Sequence, residues 1–121
     1  MKKTAIIGAS PNPMRYSYMA AHRLRSYGHP IILLGTKKGD VMDQEIVDIR
    51  SNPRLEDVHT VTMYVGPQHQ GLLEKYLLSL EPKRIIFNPG TENPAFEQEA
   101  SNQGIEVLRA CTLVMLSANQ Y

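Results

Sequence analysis

Short apolar runs, most of them stopped at a glycine, alternate with helical patterns along this chain, and that rhythm leaves few folds open. Residues 4–7, Thr4-Ala5-Ile6-Ile7, read as a first strand ended by Gly8. A polar, proline-bearing loop through Arg15 then leads into a helix over about residues 17–27. In that helix Ala20, Leu24 and Tyr27 stand at i, i+4 and i+7, and Gly28 is a natural C-cap. Residues 31–34 form a continuous apolar run ending at Gly35, which suits a strand covered on both faces. Residues 36–57 are the least regular, and Ser51-Asn52-Pro53 is a turn signal that keeps any helix there short.

Regularity returns at residues 58–65, a β-rich run punctuated by Gly66-Pro67. Leu72, Leu73, Tyr76, Leu77 and Leu80 predict an amphipathic helix ending before Pro82. Residues 84–87 predict a strand that stops at Asn88-Pro89-Gly90. Asn93 then offers an N-cap and Pro94 the first helical position, for a helix running to about Gln103 and closed by Gly104. Residues 105–108 predict a fifth strand, and the tail from Thr112 a last helix. Strand and helix in this order imply parallel strands joined by right-handed crossovers. The expected fold is α/β: a Rossmann-like, three-layer open parallel sheet of about five strands with helices on both faces.

At 121 residues the chain is expected to be one domain, residues 1–121, burying roughly two thirds of its unfolded surface. The net charge of +1 argues against nucleic acid as a partner, because Lys2-Lys3 and Lys37-Lys38 are pairs and not tracts. No apolar run approaches a membrane span, and Met1-Lys2-Lys3-Thr4 enters the first strand too soon for a signal peptide. The lone Cys111 makes no internal bridge. A cytoplasmic protein without membrane attachment is expected. The apolar run Leu113-Val114-Met115-Leu116 either caps the sheet or packs against a second subunit as a homodimer; the sequence leaves both open.

An open parallel sheet binds ligands outside the carboxyl ends of its strands. Here those ends are residues 8–17, 35–39, 65–68, 88–91 and 110–112. Where the first strand meets its helix, N–H groups and a helix dipole face outward together, and both prefer an anion. Arg15 adds a positive charge in the same loop. A dinucleotide site would carry G-x-G-x-x-G there and an acid after the second strand. This chain has only Gly8 in the first loop, and its second strand ends in Gly35-Thr36-Lys37-Lys38-Gly39, basic where NAD sites are acidic. Two lysines attract a ribose phosphate, so coenzyme A or NADP fits better than NAD. The bland alternative is that Lys37 and Lys38 form a solvated turn. No P-loop motif is present.

Gly8-Ala9-Ser10-Pro11-Asn12-Pro13, followed by Arg15 and Ser17-Tyr18, resembles the opening motif of the small single-domain CoA-binding proteins. These are similar to the CoA-binding domain of the succinyl-CoA synthetase α subunit. The resemblance continues through Phe87-Asn88-Pro89-Gly90 and Arg109-Ala110-Cys111, and covers nearly the whole chain. It implies a Rossmann-like sheet that binds CoA or acyl-CoA through the first-strand loop and the end of the second strand. It places Gly8, Ala9, Ser10 and Arg15 at the pyrophosphate, with Pro11 and Ser17 of the same motif among the cofactor-binding residues. Thr36 and Lys37 fall near the adenosine phosphates, and Lys38, with Pro89 and Gly90 at the fourth strand end, is also among the cofactor-binding residues. Stand-alone members have no settled catalytic activity.

The residues themselves supply no chemistry beyond binding. His22, His29, His59 and His69 have no metal-ligand spacing with another His, Cys or carboxylate. His69, in a strand-end loop, is the one expected near the site, and a surface position at the start of a helix explains it as well. Cys111 reads as a small residue at a strand exit, with a thiol facing CoA as the sharper alternative. No nucleophile, base and orienter can be assembled, so a non-enzymatic binding protein is expected. An NADP-dependent oxidoreductase, or a nucleotide fold whose degenerate site serves as an interaction module, are the competing readings.

Overall fold

In the computed structural model, which describes all of residues 1–121, six strands form one sheet. They are β1 (Thr4–Ile7), β2 (Ile31–Gly35), β5 (Val47–Asp48), β6 (Thr60–Met63), β7 (Arg84–Phe87) and β8 (Glu106–Arg109). A separate two-stranded hairpin, β3 (Asp40–Val41) and β4 (Gln44–Glu45), turns through Met42 at φ 57°. The sheet order is β5-β2-β1-β6-β7-β8, and every pairing in it is parallel. Helix α1 (Tyr16–Ser26) joins β1 to β2, α2 (Glu74–Ser79) joins β6 to β7 and α3 (Pro94–Asn102) joins β7 to β8. The hairpin lies between β2 and β5, a short 3-10 turn between β5 and β6, and α4 (Thr112–Ser117) follows β8. This is an α/β Rossmann-like fold.

Alternation along each strand builds two cores. Ala5, Ile7, Val61, Met63, Ile85 and Phe87 face one way and pack with Leu77, Phe96 and Ala100 of α2 and α3. Ile6, Leu33 and Ile86 face the other way, against Ala21 and Leu24 of α1 and Leu116 of α4. The apolar tail therefore caps the sheet through Leu116, while Val114 stays 62% exposed. Phe87 meets Phe96 edge-on at 5.7 Å between centroids, the offset geometry that aromatic quadrupoles favour.

Three details depart from the sequence expectation. The sixth strand, β5, is two exposed residues beside Leu34 and Gly35, too short and too polar to carry an apolar signal. Helix α2 begins only at Glu74, because a tight turn over Pro67–His69 continues through residue 73 and swings Leu72 outward to 98% exposure. Tyr27 follows the last turn of α1 as its C-cap and is half exposed, with Gly28 at φ 86° closing the helix as expected. No helix is long and apolar enough to cross a membrane.

Strand order decides where a ligand can sit. From β1 the chain moves to β2 on one side and later returns to β6 on the other, so the connections diverge between β1 and β6. A crevice opens at such a switch point, at the carboxyl ends of the strands.

Candidate functional site

A cavity of about 600 Å³ occupies that crevice. The β1 loop contributes Gly8, Ala9 and Ser10, and the start of α1 contributes Arg15, Tyr16 and Ser17. Thr36 and Lys37 enter from the end of β2, Tyr64, Gly66 and His69 from β6, and Pro89, Gly90 and Thr91 from β7. A second hollow of about 450 Å³ adjoins it, sharing Thr36 and Lys37 and adding Lys38 and Arg50. Together they make one trough along the strand ends. A hollow of about 670 Å³ on the outer face of α2 lies apart from the strand ends.

Gly8 sits at φ 92°, a left-handed conformation that side chains resist. A Cβ there would stand 2.9 Å from Val65 Cγ2 and 3.0 Å from the Tyr64 carbonyl oxygen, so glycine lets the β1 loop close against β6. Its N–H and that of Ala9 both donate to the Leu34 carbonyl, at 2.9 and 3.0 Å. Those two donors hold the loop and are not free for a ligand, which corrects the expectation of an outward-facing row. Gly35 serves the same closure from the other side, because a Cβ would meet the Ala9 carbonyl oxygen at 2.8 Å.

The free donors begin further along. Ser10 is buried, and its Oγ accepts the Asn12 N–H at 3.1 Å. Asn12 Oδ1 accepts the Met14 N–H, and the Asn12 carbonyl accepts the Arg15 N–H, so the loop is set before any ligand arrives. Arg15 is the N-cap of α1, but no side chain caps the helix and no acid lies in its first turn. The N–H groups of Tyr16 and Ser17 have no carbonyl partner; the first to find one is that of Tyr18, which donates to Arg15 at 3.1 Å. Helix α3 is the contrast, since Asn93 Oδ1 accepts the Phe96 N–H and Glu97 accepts the Asn93 N–H. The bare, positive end of α1 opens into the cavity.

Two buried amides fix the opposite wall. Asn88 donates to Thr62 Oγ1 and the Met63 carbonyl, and its Oδ1 accepts the Thr112 N–H. Gln70 donates to the carbonyls of Val65 and Thr91, while its Oε1 accepts from Asn93. The loops after β6 and β7 are thereby tied together. Tyr64 also lines the cavity, with its hydroxyl buried and without a hydrogen-bond partner. Burial pushes this phenol up to about 12, and the nearby Thr112 and Thr62 hydroxyls, bonded to each other at 2.8 Å, offset it only in part.

Nine of the residues singled out from the sequence line the main cavity: Gly8, Ala9, Ser10, Arg15, Ser17, Thr36, Lys37, Pro89 and Gly90. Pro11 does not. It packs where a Cβ on Gly39 would meet it at 2.9 Å, turned away because Ser10 and Asn12 fold the loop back on itself. Lys38 lies in the adjoining hollow. Tyr16, Tyr64, Gly66 and Thr91 were missed, although all but Tyr64 belong to strand-end segments where such residues are expected. His69 is at the cavity as expected, and Cys111, the half-buried N-cap of α4, is outside its lining. The other histidines are engaged elsewhere. His22 stacks near Tyr18, His29 accepts the Lys2 N–H, and His59 pairs with Thr60.

Among curated proteins none matches this chain in sequence. A crystal structure of an uncharacterized protein shares 52% identity with it over 100% of this chain and 98% of that one, at a TM-score of 0.97. A hypothetical protein from Pyrococcus horikoshii OT3 has the same fold at 19% identity and a TM-score of 0.86, over 97% of this chain and 82% of that one. An NADPH-dependent glyoxylate/hydroxypyruvate reductase from Sinorhizobium meliloti shares the fold more loosely, at 16% identity and a TM-score of 0.66, over 91% of this chain and 47% of that one. The CoA binding domain family matches residues 2–117, nearly the whole chain. With the motif-bearing β1 loop at a switch-point crevice, this match means that the chain belongs to the CoA binding domain family.

Proposed function

We propose that this chain binds coenzyme A, free or acylated, along the trough at the strand ends and does not itself transform it. The carrying observation is the bare start of α1: two N–H groups without acceptors, beside Arg15 with no acid near it, opening into the switch-point crevice. A pyrophosphate suits that position, because it supplies the acceptors and the negative charge that the helix end lacks. Lys37 and Lys38 stand one strand away, where the phosphorylated ribose of CoA adds further anionic charge. Membership in the CoA binding domain family supports the same ligand.

The non-catalytic part of the reading rests on what stands beside the trough. His69 makes no hydrogen bond through its ring, so no carboxylate orients it as a base. Ser10 Oγ is occupied by a backbone N–H, and Cys111 lies outside the lining. A base needs an orienting partner and a nucleophile within reach. NADP would also satisfy the lysine pair, but Gly8 is the lone glycine of a loop that in dinucleotide sites carries three.

Thermal denaturation with added ligand tests this. Ligand at one hundred times its dissociation constant stabilises by about 2.7 kcal/mol, enough to raise the melting temperature by several degrees. The expected order is CoA, then dephospho-CoA, with NAD giving no shift. An NADP shift exceeding that of CoA would favour the oxidoreductase reading, and no shift from millimolar CoA would remove the proposal.

A further inference from the structure

The trough has two chemically different halves. At the β2 end Lys37 and Lys38 have no ion-pair partner, while Arg50 is held by both oxygens of Asp48 at 2.9 and 3.1 Å. At the β6–β7 end the walls are Tyr64, Gly66, His69, Pro89, Gly90 and Thr91. No aliphatic side chain stands among them. Leu72, in the turn after His69, lines the separate hollow beside α2. A carboxylate does stand close, because Glu92 Oε1 accepts the Gly90 N–H at 2.9 Å. A Cβ on Gly90 would meet nothing within 4 Å, so this end opens to solvent without a lid.

Resting on the CoA reading above, we propose that the site takes CoA as the free thiol or with a short uncharged acyl group. It gains nothing from a longer chain and disfavours a carboxylated one. All the charge of CoA lies on its phosphorylated adenosine and pyrophosphate; its pantetheine arm is neutral. The charged half matches the lysines and the start of α1, which sends the arm across the β6 and β7 loops and sets the sulfur end among His69, Gly90 and Thr91. A longer acyl chain raises affinity only where it leaves water, by about fourfold for each buried methylene, equivalent to about 0.8 kcal/mol. Two glycines, a proline ring and polar side chains offer no such wall. A terminal carboxylate on the acyl group would stand near Glu92, and like charges at close range oppose binding.

Calorimetric titration of the whole chain with CoA, acetyl-CoA, octanoyl-CoA and succinyl-CoA tests this. The first three are expected to bind within about threefold of one another and succinyl-CoA at least about threefold more weakly. Glu92→Gln keeps an acceptor for the Gly90 N–H and should close the succinyl gap. Affinity climbing about fourfold per methylene would overturn the proposal, as would succinyl-CoA binding as tightly as acetyl-CoA to the unmodified chain. Failure of CoA itself to bind would be a different result, removing the reading on which the proposal stands.

Discussion

Arg15 and Ser10 flank the same stretch of loop but differ in what they have left to give. The Ser10 hydroxyl, which accepts one backbone N–H, has a single neutral O–H to donate, whereas the Arg15 guanidinium is charged and has no partner. Arg15→Ala should weaken CoA by about tenfold, a loss of about 1.4 kcal/mol, and Ser10→Ala by less, with circular dichroism unchanged in both. Equal losses in the two variants would count against a charge facing the pyrophosphate. Tyr64 and Asn88 make a second pair, read through stability. The Tyr64 hydroxyl is buried without a partner, so Tyr64→Phe removes an unmet polar group and should leave stability equal or raise it by up to about 1 kcal/mol. Asn88→Ala strips partners from Thr62, the Met63 carbonyl and the Thr112 N–H together, and should cost about 3 kcal/mol or more. Urea denaturation separates the two. Spectrophotometric titration should also find one tyrosine, absent from Tyr64→Phe, ionising near 12.

Among the elements, strands and helix caps were more legible than the segments between them. Ala5, Ile7, Val61, Met63, Ile85 and Phe87 share one face of the sheet because an apolar strand covered on both sides must still alternate. The caps at Asn93 and Gly28 could be read because one residue's chemistry sets each of them. Neither β5 nor the start of α2 could be read, since tertiary contact decides both. Val47 and Asp48 are strand only because Leu34 and Gly35 run beside them, and Leu72 fits the helical stripe although the chain is still turning there. Tyr64 escaped notice because no local pattern says which way the first residue after a strand will point. Glycines show the same divide. Gly8 and Gly90 look alike in sequence and have nearly the same φ, 92° and 93°, but only Gly8 has backbone at 3.0 Å where a Cβ would be. Gly90→Ala should cost about 1–2 kcal/mol, the strain of the left-handed conformation alone. Gly8→Ala adds the clash with the Tyr64 carbonyl and Val65 and should cost more, by enough to shift the urea midpoint clearly below that of Gly90→Ala.

Across the whole molecule the two ends of the sheet do opposite work. The carboxyl ends leave donors free, while the amino ends use most of theirs in a network around Tyr121, with only Arg84 Nη2 left buried and unpaired there. The Arg84 guanidinium lies 4.3 Å from the Tyr121 ring centroid, His29 packs on the same ring at 4.8 Å, and Lys2 Nζ donates to the Tyr121 carbonyl. His29 Nδ1 accepts the Lys2 N–H at 3.0 Å and so needs a bare lone pair. Arg84 Nε donates to Thr60 Oγ1, which also pairs with His59 Nδ1 at 2.7 Å. Protonating His29 would break its bond with the Lys2 N–H. Burial holds both below the usual histidine value of 6.5, and nearby positive charges push the same way. For His29 these are the amino terminus, Lys2 and Arg84; for His59 they are Arg84, Lys2 and Lys83, opposed by Glu106. As pH falls through about 6.5, the unfolded chain therefore takes up protons that the folded chain refuses, and stability drops until the folded imidazoles titrate too. Above that pH neither state carries the proton and nothing is lost. Asp43 and Asp48, held low chiefly by hydrogen bonds from Arg25 and Arg50, titrate too far below this window to interfere. Urea midpoints should fall between about pH 7.5 and 5. His29→Asn with His59→Asn keeps an acceptor at each position without a proton to bind, and should flatten that slope. If the double variant instead follows the unmodified chain, the histidines at the foot of the sheet do not set its acid sensitivity.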